Sequence, residues 1–169
     1  MGKLIRIVVC GPSAVGKTSL IEQCLYGNYG SKKPDDYTPT IEDTYNAIVE
    51  SERGTKERIR VYELGGKSRI ERHFIECADA FLLVYDLNDS RTLSIVTELR
   101  SSLEDARGKR DITFVVCGNK ADKCKTKSTD SNQLNRWATA SKNKSTFTFG
   151  KKDNKQFTAV AGISRSEAE

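Results

Sequence analysis

Short apolar, β-branched runs alternate along this chain with stretches of helical periodicity. Candidate strands are residues 4–10, 44–51, 58–64, 80–87, 112–117 and 146–149, and candidate helices are 17–26, 68–77, 90–107 and 132–142. Two strands hold continuous apolar runs, Ile7-Val8-Val9-Cys10 and Phe81-Leu82-Leu83-Val84-Tyr85, the pattern of strands covered on both faces. In the third helix Leu93, Val96, Leu99, Leu103 and Ala106 recur at three- and four-residue steps, so one stripe faces a sheet. Residues 27–39 and 123–131 read as loops from their Gly, Pro, Asn, Lys, Ser and Thr content. This alternation predicts an α/β fold of three layers, with a mostly parallel six-stranded sheet between helices. Residues 140–155 are polar and repetitive, and after residue 153 only Phe157, Val160, Ala161 and Ile163 supply an apolar stripe. The closing helix is therefore expected to be short or incomplete.

A length of 169 residues suits one domain spanning 1–169, since single domains usually occupy about 100 to 200 residues. With 37% hydrophobic and 30% charged residues, the chain has material for both a core and a polar surface. Its 28 Lys and Arg against 23 Asp and Glu give +5 spread over the whole length, not the dense basic face of a nucleic-acid binder. The five cysteines, Cys10, Cys24, Cys77, Cys117 and Cys124, show no C-x-x-C pair or zinc-ligand spacing, and read as reduced, mostly buried thiols of a cytoplasmic protein. The longest apolar run, from Ala80 to Tyr85, is far below the roughly 18 residues of a membrane span. Residues 1–9 do not resemble a signal peptide, Arg6 stands where a myristoylation pattern wants Ser or Thr, and the sequence ends Ser-Glu-Ala-Glu. No direct membrane anchor is expected.

Gly11-Pro12-Ser13-Ala14-Val15-Gly16-Lys17-Thr18-Ser19 follows an apolar strand and opens a helical pattern, the setting of the G-x-x-x-x-G-K-[ST] phosphate loop. Gly11 and Gly16 let the backbone curl so that successive N–H groups point inward, and the helix beginning at Lys17 adds its positive dipole end. Lys17 is assigned to the β- and γ-phosphates and the Thr18 hydroxyl to Mg2+. About one hundred residues further on, Asn119-Lys120-Ala121-Asp122 follows a strand at the sheet's carboxyl end, where open α/β sheets bind ligands. Guanine offers N1–H and N2–H2 donors together and the Asp122 carboxylate accepts both, a donor pair that adenine lacks. Asn119 is assigned to tethering loops or the base edge, and the Lys120 stem to the ring face.

On these motifs residues 3 to about 142 resemble a Ras-type small GTPase. Tyr37-Thr38-Pro39-Thr40-Ile41-Glu42-Asp43-Thr44-Tyr45 is similar to that family's first switch, and the resemblance implies that Thr40 binds Mg2+ through its hydroxyl when GTP is present. Tyr29 takes the place of the aromatic that packs on guanine. Agreement is densest with the atypical kappaB-Ras branch: Val8-Val9-Cys10-Gly11, Leu25-Tyr26-Gly27-Asn28, Arg53-Gly54, Leu83-Val84-Tyr85 and Trp137-Ala138 all fall where that branch has them. The resemblance implies GTP/GDP and Mg2+ as ligands, kappaB-inhibitor proteins and the Ral GTPase-activating protein complex as partners, and a monomer when free.

The catalytic apparatus departs from the family. The second-switch Asp-x-x-Gly reads Glu63-Leu64-Gly65-Gly66, and Lys67 holds the position of the water-orienting glutamine. An ammonium has three donors and no acceptor, so it cannot accept a hydrogen bond from water as an amide oxygen can. Ser13 and Ala14 replace two glycines, bringing bulk to the γ-phosphate. Glu63, one methylene longer than aspartate, either moves a Mg2+-bound water or contacts the metal directly, while Gly66 retains its sensing N–H. These features predict GTP and GDP binding with weak hydrolysis. A structural, non-turning-over nucleotide, a partner that repairs catalysis, and an adenine-using phosphate-loop enzyme are the alternatives.

The resemblance also expects a guanine-contacting loop after the last strand. Thr148-Phe149-Gly150-Lys151 is placed for it, with Phe157-Thr158-Ala159-Val160 as the competing position. His73 is expected at the surface, Trp137 with Leu134 in a helical core stripe, and Lys123, Lys125 and Lys127 on a solvated face.

Overall fold

The structure is a computed structural model that describes residues 4–27, 38–50, 54–66, 69–108 and 113–123, together with the backbone of 144–148, 151–152, 156–157 and 160–162. The expected helix 132–142, with Trp137 and Leu134, lies outside the described residues, as do Cys124, Lys125 and Lys127.

The elements run β1 (Leu4–Cys10), α1 (Lys17–Tyr26), β2 (Glu42–Glu50), β3 (Lys56–Leu64), α2 (Arg72–Cys77), β4 (Ala80–Asp86), α3 (Ser90–Arg107) and β5 (Thr113–Asn119). After a 3-10 turn at Ala121–Lys123 come β6 (Lys144–Thr148), β7 (Lys151–Lys152), β8 (Gln156–Phe157) and β9 (Val160–Gly162). The main sheet has the order β2-β3-β1-β4-β5-β6-β9. Pairing is parallel from β3 through β6, with antiparallel strands at both edges, β2 on β3 and β9 on β6. The mostly parallel α/β sheet is thus as expected, with a seventh strand added. Val160 and Ala161, read as part of a closing helical stripe, lie in that strand.

Side-chain alternation along the strands sorts the apolar residues into two layers. Val8, Cys10, Leu64, Phe81, Leu83, Tyr85, Phe114 and Val116 meet α2 and α3 through Phe74, Leu93, Val96, Leu99 and Leu103. On the opposite face Val9, Val61, Val84 and Cys117 pack with Val15 and with Leu20 and Ile21 of α1. The α3 stripe is buried as far as Leu103, whereas Ala106 is exposed. Asp89 caps α3 by accepting from the Arg91 N–H, which satisfies one orphan donor of its first turn. Gly27 closes α1 at φ 67, its N–H donating to Gln23 O, the left-handed ending that glycine permits. Among the described cysteines, all free, Cys10 and Cys117 are buried, Cys77 is half-buried and Cys24 is exposed. Burial pushes the Cys10 thiol up to about 12, against the opposing pull of Lys17. No helix among the described residues is long and apolar enough to cross a membrane.

Candidate nucleotide-binding site

The loop between β1 and α1 is shaped by what its glycines avoid. A Cβ at Gly11, whose φ is 147, would stand 2.1 Å from the Val84 carbonyl oxygen, and one at Gly16, φ 92, would stand 2.5 Å from Asn119 Nδ2. Ala14 also adopts a left-handed φ of 61. The loop closes around Lys17, whose ammonium donates to Gly11 O at 3.0 Å and Pro12 O at 2.8 Å. Burial lowers the Lys17 pKa, while Glu63 and Cys10 work to raise it. No acidic residue stands in the first turn of α1 and no side chain caps it, so the helix presents its positive end to an anion.

Three segments converge beside this loop. Thr18 Oγ1 donates to Glu63 Oε1 at 2.6 Å and lies 3.1 Å from Thr40 Oγ1. Glu63 is 1% exposed; burial raises its pKa, opposed by the Thr18 hydrogen bond and the Lys17 charge. The Gly65 N–H donates to Ile41 O at 2.9 Å, and a Cβ on Gly65 would stand 2.0 Å from Thr40 O. A Cβ on Gly66 would stand 2.1 Å from Ser13 Oγ and 2.5 Å from Ser13 N. The segment after β3 therefore lies against both the Thr40 segment and the phosphate loop.

These oxygens fit a small divalent ion. Adjacent ligands of an octahedral Mg2+ at about 2.1 Å stand about 3 Å apart, and Thr18 and Thr40 meet that spacing. With its single proton given to Glu63, the Thr18 hydroxyl keeps lone pairs for a cation. Thr18, Thr40 and Glu63 are the residues that would hold the metal.

At the far end of the cleft β5 runs to Asn119, two residues beyond the expected 117, because Gly118 pairs with Tyr85 and Asn119 with Asp86 on β4. The Asn119 amide donates to Val15 O at 2.9 Å in a buried position. Lys120, at φ 62, donates to Ala14 O at 2.6 Å. The pair thus ties the turn after β5 to the loop between β1 and α1. Asp122 is exposed in the 3-10 turn that follows. Sequence reasoning missed Asp86, whose carboxylate lies 2.8 Å from Lys120 Nζ. Burial would raise the Asp86 carboxyl, but hydrogen bonds from Lys120 and from Asn88 outweigh it and hold the group below its usual range. Asn88 also donates to Lys120 O at 3.1 Å. The available signal was an acid ending the apolar strand β4 beside the strand that carries Asn119.

The expected contacts Tyr29, Lys67, Phe149 and Gly150 lie outside the described residues. Lys151 opens β7, and Thr148 ends β6. His73 is exposed, 3.5 Å from Glu71 through Nδ1.

Comparison with known proteins matches residues 6–161 to the Ras family. NF-kappa-B inhibitor-interacting Ras-like protein 1 of Homo sapiens is 36% identical over 145 residues, covering 84% of this chain and 74% of its own. NF-kappa-B inhibitor-interacting Ras-like protein 2 is 36% identical over 147 residues in Homo sapiens, covering 84% and 75%, and 37% identical over 147 residues in Xenopus laevis, covering 84% and 88%. A loop wrapped on Lys17 and tied to the turn after β5 has the form expected of the G-x-x-x-x-G-K-[ST] and Asn-Lys-x-Asp motifs, and the chain belongs to the Ras family.

Proposed function

We propose that this protein binds GTP and GDP with Mg2+, hydrolyses GTP slowly, and acts mainly by engaging partners in the cytoplasm as a monomer. The observation that carries the slow chemistry is the approach of Ser13 to Gly66, where an added methyl would stand 2.1 Å from the serine hydroxyl. Hydrolysis of this kind depends on positioning a water and stabilising charge. Here a side chain fills the space beside Gly66, and the next residue is Lys67, which has no acceptor for a water proton.

Lys17 and the N–H groups at the start of α1 bind the phosphates, Asn119 and Lys120 fix the loop that reads the base, and Asp122 accepts from guanine. Mg2+, when bound, neutralises phosphate charge. Thr40 and Gly66 both adjoin the phosphate loop, so a γ-phosphate can pull on the two segments that flank it. Among partners, kappaB-inhibitor proteins are favoured by the names of the relatives, and the Ral GTPase-activating protein complex by the sequence resemblance.

Single-turnover hydrolysis of bound GTP, run beside Ras, tests the reading. The expected rate is well below that of Ras; an equal or faster rate overturns it.

A further inference from the structure

Glu63 is held at both carboxylate oxygens, and the second holder lies on another strand. In the antiparallel register of β2 on β3, Asp43 pairs with Glu63 and Tyr45 with Val61. Tyr45 is therefore the diagonal neighbour of Glu63 on the same face, a separation that long side chains span. Its hydroxyl lies 3.3 Å from Glu63 Oε2 and is shared with the Asp43 carboxylate, while Thr18 donates to Oε1 at 2.6 Å. The Tyr26 ring of α1 lies 6.4 Å from the Tyr45 ring between centroids, tilted by 48°. An aspartate, one methylene shorter, would retract its carboxylate from Tyr45.

We propose that Tyr45 is a positioning residue of the metal site. By fixing Oε2 it holds the longer carboxylate of Glu63 at Thr18 and Thr40, so that metal-dependent retention of nucleotide runs through edge strand β2. This inference rests on the nucleotide reading above. Two hydroxyls occupy only part of the four lone-pair sites of a carboxylate, leaving the remainder for a cation.

The test uses the whole chain loaded with a fluorescent GDP analogue, with dissociation followed against free Mg2+. Tyr45→Phe is expected to raise the Mg2+ midpoint about three- to tenfold, the worth of one hydrogen bond, and to change the rate in EDTA far less. In a Glu63→Asp background, where the tyrosine is out of reach, the same substitution is expected to leave the midpoint unmoved. A Tyr45→Phe midpoint equal to that of the unmodified protein overturns the inference. So does acceleration by the same factor with and without metal, or an undiminished effect beside Glu63→Asp. Retention that depends on Mg2+ in the unmodified protein keeps the nucleotide reading intact in all three cases; failure to take up any guanine nucleotide removes both.

Discussion

Thr18 and Glu63 share a 2.6 Å hydrogen bond across the sheet's upper edge, which joins the first turn of α1 to the end of β3 through a buried acid. The burial of that acid sets a pH signature. Burial raises the Glu63 carboxyl above its ordinary 4.5, with the Thr18 hydrogen bond and Lys17 opposing. Between the unfolded and folded values the folded state binds more protons, so stability falls as pH rises through that window and levels off above the folded value. Glu63→Gln, neutral throughout, abolishes this part of the slope. Thermal denaturation in EDTA is expected to show the variant gaining on the unmodified protein as pH climbs from about 4.5; parallel curves would contradict the assignment.

Asn119 holds Val15 O by a buried hydrogen bond at 2.9 Å. Asn119→Ala strands that carbonyl and is expected to cost about 1–3 kcal/mol, measured by chemical denaturation. The phosphate loop loses its tether to β5, so GDP dissociation is expected to accelerate. A stable variant with an unchanged off-rate would show that Lys120 alone, through Ala14 O, suffices.

On the proposed reading Asp122 supplies the base selectivity. Asp122→Asn exchanges a double acceptor for a donor and an acceptor, replacing an attraction to guanine N2–H2 by a clash of donors. Guanine affinity is expected to fall about a hundredfold, the loss of one or two hydrogen bonds to a charged group, while xanthine, with an oxygen at that position, gains. Competition binding with GDP and XDP measures both directions.

Strands β1 and β4 were legible because burial on both faces imposes continuous apolar runs. Helix α3 matched its expected 90–107 span because a three- and four-residue repeat over so many turns has no strand counterpart. Ala106 fell outside the buried stripe although it kept the spacing, for periodicity does not say where the sheet beneath a helix ends. The apolar positions around Val160 were less decidable: so short a set fits either period, and antiparallel pairing with β6 made them a strand. In the site, Gly11, Lys17, Thr18 and Asn119 were visible through fixed spacing. Tyr45 and Asp86 were not, since each acts on a residue of another element, Glu63 and Lys120, and only register brings those pairs together.

Lys67 and Ser13 together account for the proposed slow hydrolysis. Lys67→Gln is expected to raise the single-turnover rate about tenfold by restoring an acceptor for water. Ser13→Gly, which clears the space that faces Gly66, is expected to add to it. If the double variant hydrolyses GTP no faster than the unmodified protein, the obstruction lies elsewhere.

The most direct measurement is the nucleotide content and selectivity of the purified protein. Chromatography of the released small molecules, followed by GDP and ADP binding with Mg2+ supplied, is expected to show guanine nucleotide bound and ADP excluded. Material that carries no guanine nucleotide and takes none up, or that prefers ADP, would contradict the account.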